Sequence, residues 1–363
     1  MKTDTSQLGR PQLTGELDWL TAIRFFAAAW VVVHHFGIWP LPPDFTGSNL
    51  ITNVLHHGDL GVKFFFILSG FILVHVYGKK EKIKLRGFLW ARAARIYPVY
   101  LFALILSLPS LLQQFHSHIA QYGEIKGFTI MGIKSIMVTS LTQAWFPSAA
   151  LAWNGVSWSL SAEAFFYVTF PFLLPWLRKK STRTLWLLLL GFVALDSFRY
   201  TCSLQWPNVA WGFTPLFRLP DFATGMVLRL VMDRGFRIPF ISSLPFALGF
   251  IGLQCLNPTD SLSKILILFG THISISLLVV SLAIPRLGTA CPLYMRPLVL
   301  AGQVSYSVYL LQFPVMGIWI WLCPQWTNVE FGQFFAFLLL FCTATYYLVE
   351  TPARNYIRAR VQK

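Results

Sequence analysis

Arg24 and His35 stand eleven residues apart in an otherwise apolar run. Eleven helical steps of about 100° return to within about 20° of the start, so both side chains share one helix face, about 16 Å apart along the axis. An imidazole at such a position can take a proton from a hydroxyl or be acylated itself. His34 points about 80° away from His35 and reads as a packing histidine. Glu163 lies about two turns into a second apolar segment, Trp158-Ser159-Leu160-Ser161-Ala162-Glu163-Ala164-Phe165-Phe166-Tyr167. A carboxylate there needs a partner or a proton. It either orients a histidine, as carboxylates do in hydrolytic triads, or pairs structurally. Arg92 and Arg95 are i, i+3 neighbours on one helix face. Two such forks suit phosphate, and they equally suit a basic loop that fixes orientation in a membrane.

Elements of a particular kind must position these groups. Of the 363 residues, 55% are hydrophobic and 12% charged, against about 25% charged in soluble domains. Apolar runs recur from residue 20 to residue 349, and a bilayer core of about 30 Å asks for about 20 apolar residues per helix. The expected fold class is an all-α polytopic membrane protein of about ten transmembrane helices, both termini cytoplasmic. The segments are roughly 20–38, 60–78, 97–115, 157–177, 184–199, 214–232, 238–255, 264–285, 298–322 and 331–349. The moderately apolar stretch 128–146 holds Lys134, Thr139, Thr142 and Gln143 and is read as re-entrant or interfacial.

Charge supports that threading. Net charge is +15; a nucleic-acid partner is excluded in favour of cytoplasmic basic loops, which can also draw in an anionic cofactor. With the N-terminus inside, the basic clusters at 79–95, 178–183 and 354–363 fall on one side; a full crossing at 128–146 would turn the later ones outward. Residues 1–16 form a cytoplasmic N-terminal segment, 17–350 the membrane domain and 351–363 a short cytoplasmic tail. The first helix has no small-residue cleavage site and is expected to be retained. Cys202, Cys255, Cys291, Cys323 and Cys342 show neither metal-type spacing nor an even count. No metal is expected.

Weaker signals complete the pattern. Ser69 and Gly70 are small residues suited to close helix approach, Arg218 and Asp221 stand at i, i+3, and Ser305-Tyr306-Ser307-Val308-Tyr309 brings hydroxyls into the ninth segment. Glu350 precedes Pro352, where a helix would stop, and can pair with nearby arginines.

Taken in order, these segments resemble the acyltransferase-3 family of integral membrane O-acyltransferases. Leu17-Asp18-Trp19-Leu20 with Arg24 and His35 is similar to its first-helix motif. Residues 61–71 resemble its FF-x-LSGF motif, Arg92-Ala93-Ala94-Arg95-Ile96-Tyr97-Pro98 its R-x-x-R-I-x-P motif, and residues 158–167 its W-S-L-S-x-E-x-x-F-Y motif. The SYS-x-YL run and the terminal VE-x-P complete the set. The resemblance implies transfer of an acyl group, acetyl foremost, from acyl-CoA to a hydroxyl of a glycan, lipid-linked saccharide or other acceptor, in a bacterial cytoplasmic (inner) membrane. It implies His35 and Glu163 as catalytic residues and Arg24, Arg92 and Arg95 as donor-binding residues. Ser69, Lys63, Trp158, Ser161 and Tyr167 are expected to meet substrate. Lys63 departs from the pattern, standing where a small polar or acidic residue is expected; it either binds an anionic acceptor at the outer mouth or snorkels. Family members with a fused extracellular hydrolase-like domain exist, and none is expected in this chain. The alternative from another class is a transporter with a His35–Glu163 proton relay.

Overall fold

The computed structural model describes residues 17–37, 49–205, 212–256, 260–283, 295–324 and 331–361. Among these there is no strand. The helices are α1 (Asp18–Val32), α2 (Asn49–His56), α3 (Leu60–Tyr77), α4 (Leu85–Leu106), α5 (Leu108–Tyr122), α6 (Glu124–Thr139), α7 (Trp158–Arg178), α8 (Thr182–Gln205), α9 (Pro215–Asp233), α10 (Ser243–Cys255), α11 (Ser261–Leu282), α12 (Arg296–Leu322), α13 (Phe331–Thr345) and α14 (Thr351–Val361). π-helical turns extend α1 over Val33–Gly37 and join α13 to α14 over Tyr346–Glu350.

Eight stretches among the described residues are long and apolar enough to cross a membrane: Asp18–Phe36, Leu60–Tyr77, Leu85–Leu106, Gly155–Arg178, Thr182–Ser203, Ser261–Leu282, Arg296–Leu322 and Phe331–Ile357. The protein is an all-α polytopic membrane protein. The other two expected crossings fall on α9, which carries Arg218, Asp221, Arg229 and Asp233, and on the shorter apolar helix Phe240–Cys255. Helix α9 tolerates its charges because α3, α7, α8 and α11 pack around it, so they face protein rather than lipid. Helix α3 meets it backbone to backbone. A Cβ on Gly70 would lie 2.0 Å from the Phe222 carbonyl oxygen, and one on Gly225 would lie 1.8 Å from that of Ile67. Any larger side chain would separate the pair.

Two boundaries differ from the sequence reading. The third crossing starts at Leu85, well before residue 97, and ends at Leu106; α5 then begins with Pro109 in its first turn. Arg92 and Arg95 interrupt the hydropathy of α4 without ending it, because they point into the protein. A proline at a helix start lacks only an N–H that would be unpaired anyway, so Pro109 opens a new helix. The stretch expected to re-enter or lie at the interface is α6, which folds back against α5 through Gly123 at φ 80°. Its sixteen residues span about 24 Å, short of a full crossing.

The core runs between the helices, with Tyr100, Phe166, Phe170, Phe222 and Phe334 fully buried. Leu187, Phe198, Leu266 and Leu340 are exposed, as expected of a lipid-facing rim. On the aqueous side of α11, Asp260 accepts from the Ser263 backbone N–H at 2.8 Å, capping the helix. That bond holds its carboxyl below the ordinary value. Residues 1–16 of the expected N-terminal segment lie outside the described residues. The expected tail is helical from Thr351 and packs on α4.

Candidate active site

A cavity of about 330 Å³ lies between α1, α3, α4, α7 and α12, lined by Arg24, Ser69, Arg92, Arg95, Glu163 and Tyr306 among others. Three of its groups are arginines from two different helices. The i, i+3 spacing puts Arg92 and Arg95 on the face of α4 that looks into the bundle, and α1 delivers Arg24 opposite. The Arg92 guanidinium lies 5.7–5.8 Å from the ring centroids of Tyr77, Phe88 and Tyr167. This aromatic collar stabilises a cation through the ring quadrupoles, and its buried Nε has no hydrogen-bond partner among the described residues.

Glu163 answers these cations. Its Oε1 accepts from Ser69 Oγ at 3.0 Å and from the Tyr167 hydroxyl one turn along α7. Glu163 and Glu350 both lie within electrostatic reach of Arg24 and Arg95. Glu350 itself accepts from Ser307 at 3.2 Å and sits 3.5 Å from Arg354. Arg24, Ser69, Arg92, Arg95 and Glu163 are all half-buried rather than sealed. Partial access to a cavity with guanidiniums on its wall is what an anionic ligand needs.

His35 stands apart from that cavity's lining. It sits in the π turn at the end of α1, where its Nδ1 is 2.8 Å from Gln312 Oε1 on α12. The Gln312 amide nitrogen donates to the Tyr309 carbonyl at 2.7 Å. Tyr309 lines the cavity, so the chain Tyr309–Gln312–His35 leads from the cavity wall to the imidazole. The expected orientation of His35 by Glu163 is replaced by this arrangement: among the described residues, Glu163 bonds Ser69 and Tyr167 while His35 bonds Gln312. His34 turns the other way, its Cβ against Gly58, and its buried Nδ1 has no hydrogen-bond partner among the described residues.

Three expected substrate contacts are placed elsewhere. Lys63 is 2% exposed, with its ammonium on Asp196 and 3.8 Å from Asp221. It neither reaches an outer mouth nor snorkels, because two buried carboxylates on α8 and α9 hold it inside. The Ser161 hydroxyl oxygen accepts from the Ala144 backbone N–H at 3.3 Å. Trp158 packs edge-on against Phe66 and Phe213 and under the Arg218 guanidinium. Ser69 and Tyr167 do reach the site, through Glu163. Arg218 and Asp221 pair at 3.6 Å, as expected, but as part of a larger cluster with Lys63, Asp196, Arg199 and His272.

Asp196, Asp221 and His272 each offer a ligand atom within 4.8 Å of one another, a set able to hold a metal ion. The Lys63 ammonium already occupies the space beside both carboxylates. Four of the expected cysteines are free; Cys291 lies outside the described residues.

Sequence reasoning missed Gln312 and Asp196. Both carried a signal: each is a polar residue inside an apolar helix, which in a bilayer requires a partner. What the sequence lacked was any hint of who the partner is.

Half-buried arginines and a carboxylate around a cavity, with a histidine held by an amide beyond its wall, are groups suited to group transfer inside a membrane. Residues 17–349 match the family model described as acyltransferase domain, and the chain belongs to that acyltransferase-3 family. It is an integral membrane O-acyltransferase. Among curated proteins it is similar to acyltransferase MdmB of Streptomyces mycarofaciens, 26% identical over 95% of this chain and 92% of the relative. It is also similar to O-acetyltransferase OatA of Staphylococcus aureus strain NCTC 8325 / PS 47, 24% identical over 93% of this chain. The match spans 57% of that relative's length. A shorter match, 40% identical over 90 residues, is to protein 2 in picA locus of Rhizobium radiobacter. No solved structure matches.

Proposed function

We propose that the protein moves an acyl group, acetyl foremost, from cytosolic acyl-CoA to a hydroxyl of a glycan or glycoconjugate in a bacterial inner membrane. The observation that carries this reading is the convergence of Arg24, Arg92 and Arg95 on one cavity. Three cations beside Glu163, with Glu350 shared between them and Arg354, leave room for an anionic ligand, and coenzyme A brings phosphates. Glu163, held by Ser69 and Tyr167, keeps the guanidiniums apart and aimed into the cavity.

The pantetheine arm then spans the axial gap of about 16 Å between Arg24 and His35, carrying the thioester to the imidazole. His35 takes the proton of the acceptor hydroxyl as its oxygen attacks the thioester carbonyl. The C–O bond forms, the C–S bond breaks, and the proton held by His35 passes to the departing coenzyme A thiolate. The ester leaves with the acceptor, and the enzyme returns to its starting protonation. Both termini and residues 79–95 lie on the cytosolic side in this scheme, on the face where donor is supplied. Purified protein in lipid nanodiscs, given acetyl-labelled acetyl-CoA and a panel of glycans, should label one of them at a hydroxyl. Labelling of none, with coenzyme A neither bound nor released, would remove the assignment.

A further inference from the structure

The hydrogen bonds around His35 contain more than its position. A main-chain carbonyl has no proton, so the Gln312 atom 2.7 Å from the Tyr309 carbonyl oxygen must be the NH₂ group. Its other atom, 2.8 Å from His35 Nδ1, is therefore the amide oxygen, which can only accept. Nδ1 must then carry a proton. The amide cannot be flipped, because reversal would set two acceptors against each other at Tyr309. In the neutral ring this leaves the lone pair on Nε2, which has no hydrogen-bond partner among the described residues.

We infer that Gln312 is a positioning residue that fixes His35 in the Nδ1-protonated tautomer and leaves Nε2 as the atom that receives the acceptor's proton. The inference rests on the reading of His35 as the base. The backbone makes the arrangement firm. Gln312 is fully buried on α12, and its amide is clamped by the carbonyl of a residue one turn earlier on the same helix. Tyr309 is itself anchored to α7 and the turn before it, through the Val156 carbonyl at 3.0 Å and the Ser159 hydroxyl at 2.8 Å. The ring of His35 is further confined by Phe313, 5.1 Å between centroids, and by Phe36, which packs on Phe334. The π turn that carries His35 is what rotates the side chain onto this amide, and single π turns recur at functional sites. His34, one residue earlier, has no comparable partner.

The tautomer can be read on the unaltered protein. With ¹⁵N-histidine incorporated, the His35 signals are those lost in His35→Gln, and at a pH where the ring is neutral Nδ1 should bear the proton. A ring protonated at Nε2 instead would overturn the inference without any reference to activity. Activity supplies the second arm. Gln312→Leu removes the acceptor and should lower kcat for acyl transfer about 10- to 100-fold, the range seen when a partner orienting a functional histidine is lost, with KM for acetyl-CoA little changed. Gln312→Glu keeps the shape; as a neutral acid it donates to Tyr309 and accepts from Nδ1, so it should retain most of the activity. A Gln312→Leu protein that inserts normally and keeps wild-type kcat would sink the role of Gln312 while an inert His35→Gln still upholds the base. An active His35→Gln would sink the base itself.

Discussion

Two buried ionic clusters of nearly the same make-up sit in this bundle and behave differently. On the cavity wall, Arg24, Arg92 and Arg95 face Glu163 and Glu350. Between α3, α8, α9 and α11, Lys63, Arg199 and Arg218 face Asp196 and Asp221, with His272 among them. Each sets at least three basic side chains against two carboxylates. In the first, Arg24, Arg92, Arg95 and Glu163 border about 330 Å³ of open space and are half-buried, while Glu350 behind them is buried. In the second, Lys63, Asp196, Asp221 and His272 are each at most 2% exposed and line no part of that cavity. Charge inside a membrane protein therefore does not by itself mark a site. Access separates the two: ions that border a cavity are open to a ligand, while ions packed between helices tie those helices together.

The sharpest break of this comparison is at the end of the cavity path. His35→Gln should reduce acyl transfer per mole of inserted protein by about 10²–10⁴-fold, the usual contribution of a placed base. His34→Ala, which loses a side chain with no described hydrogen-bond partner, should retain most of it. If His34→Ala is the dead variant, the path from the cavity does not lead to His35.

In the closed cluster, the expected losses are of stability. Lys63→Met strands Asp196 and Asp221, and removing one partner of a buried pair typically costs about 3–5 kcal/mol. Thermal unfolding in detergent should fall accordingly, while the surviving folded fraction should bind acetyl-CoA as before. Combining it with Asp196→Asn should recover part of the stability, since a neutral pair leaves less unanswered charge. A Lys63→Met protein of normal stability but impaired acceptor use would turn the closed cluster into a binding site.

The open cluster should show the opposite split. Arg92→Ala or Arg95→Ala should weaken use of acetyl-CoA about tenfold or more, since charge-assisted contacts to phosphate contribute about 1.5–3 kcal/mol each, with insertion and melting little altered. Donor affinity unchanged in both variants would return these arginines to the role of fixing orientation. The smallest effect belongs to Tyr167→Phe. It deletes one of the two hydroxyls on Glu163 and should shift donor affinity by about 0.5–1.5 kcal/mol, measured by titration. A silent Tyr167→Phe would mean that Ser69 and the arginines suffice to hold the carboxylate.

Much of the open cluster was legible along the chain. Arg24, Arg92, Arg95 and Glu163 each stand within a short motif, and helical spacing is enough to predict which of them share a face. The division of labour in Ser69-Gly70 was half legible: small residues imply close packing, but only the structure assigns Gly70 to the α9 backbone and Ser69 to Glu163. Lys63 departs from its sequence expectation because a lone lysine near a helix end ordinarily reaches for water. Its counter-ions lie 133 and 158 residues later, and hydropathy says nothing about such pairings. The crossing over Leu85–Leu106 starts earlier than hydropathy predicts for a related reason: a hydropathy window treats arginines as though they faced lipid.

The sequence by itself determined that this chain is a membrane bundle, which family it resembles, and which residue types could handle an acyl thioester. Composition and period-3.6 spacing are local properties, and a bilayer enforces them strongly enough to be read without a structure. Only the tertiary structure decided who answers whom: Gln312 for His35, Ser69 and Tyr167 for Glu163, Asp196 and Asp221 for Lys63. Buried polar groups must be satisfied, but every helix offers several candidates at similar depth. The choice among them is made by which helices touch, and that is fixed by packing contacts such as Gly70 on Phe222, not by any property of one segment alone.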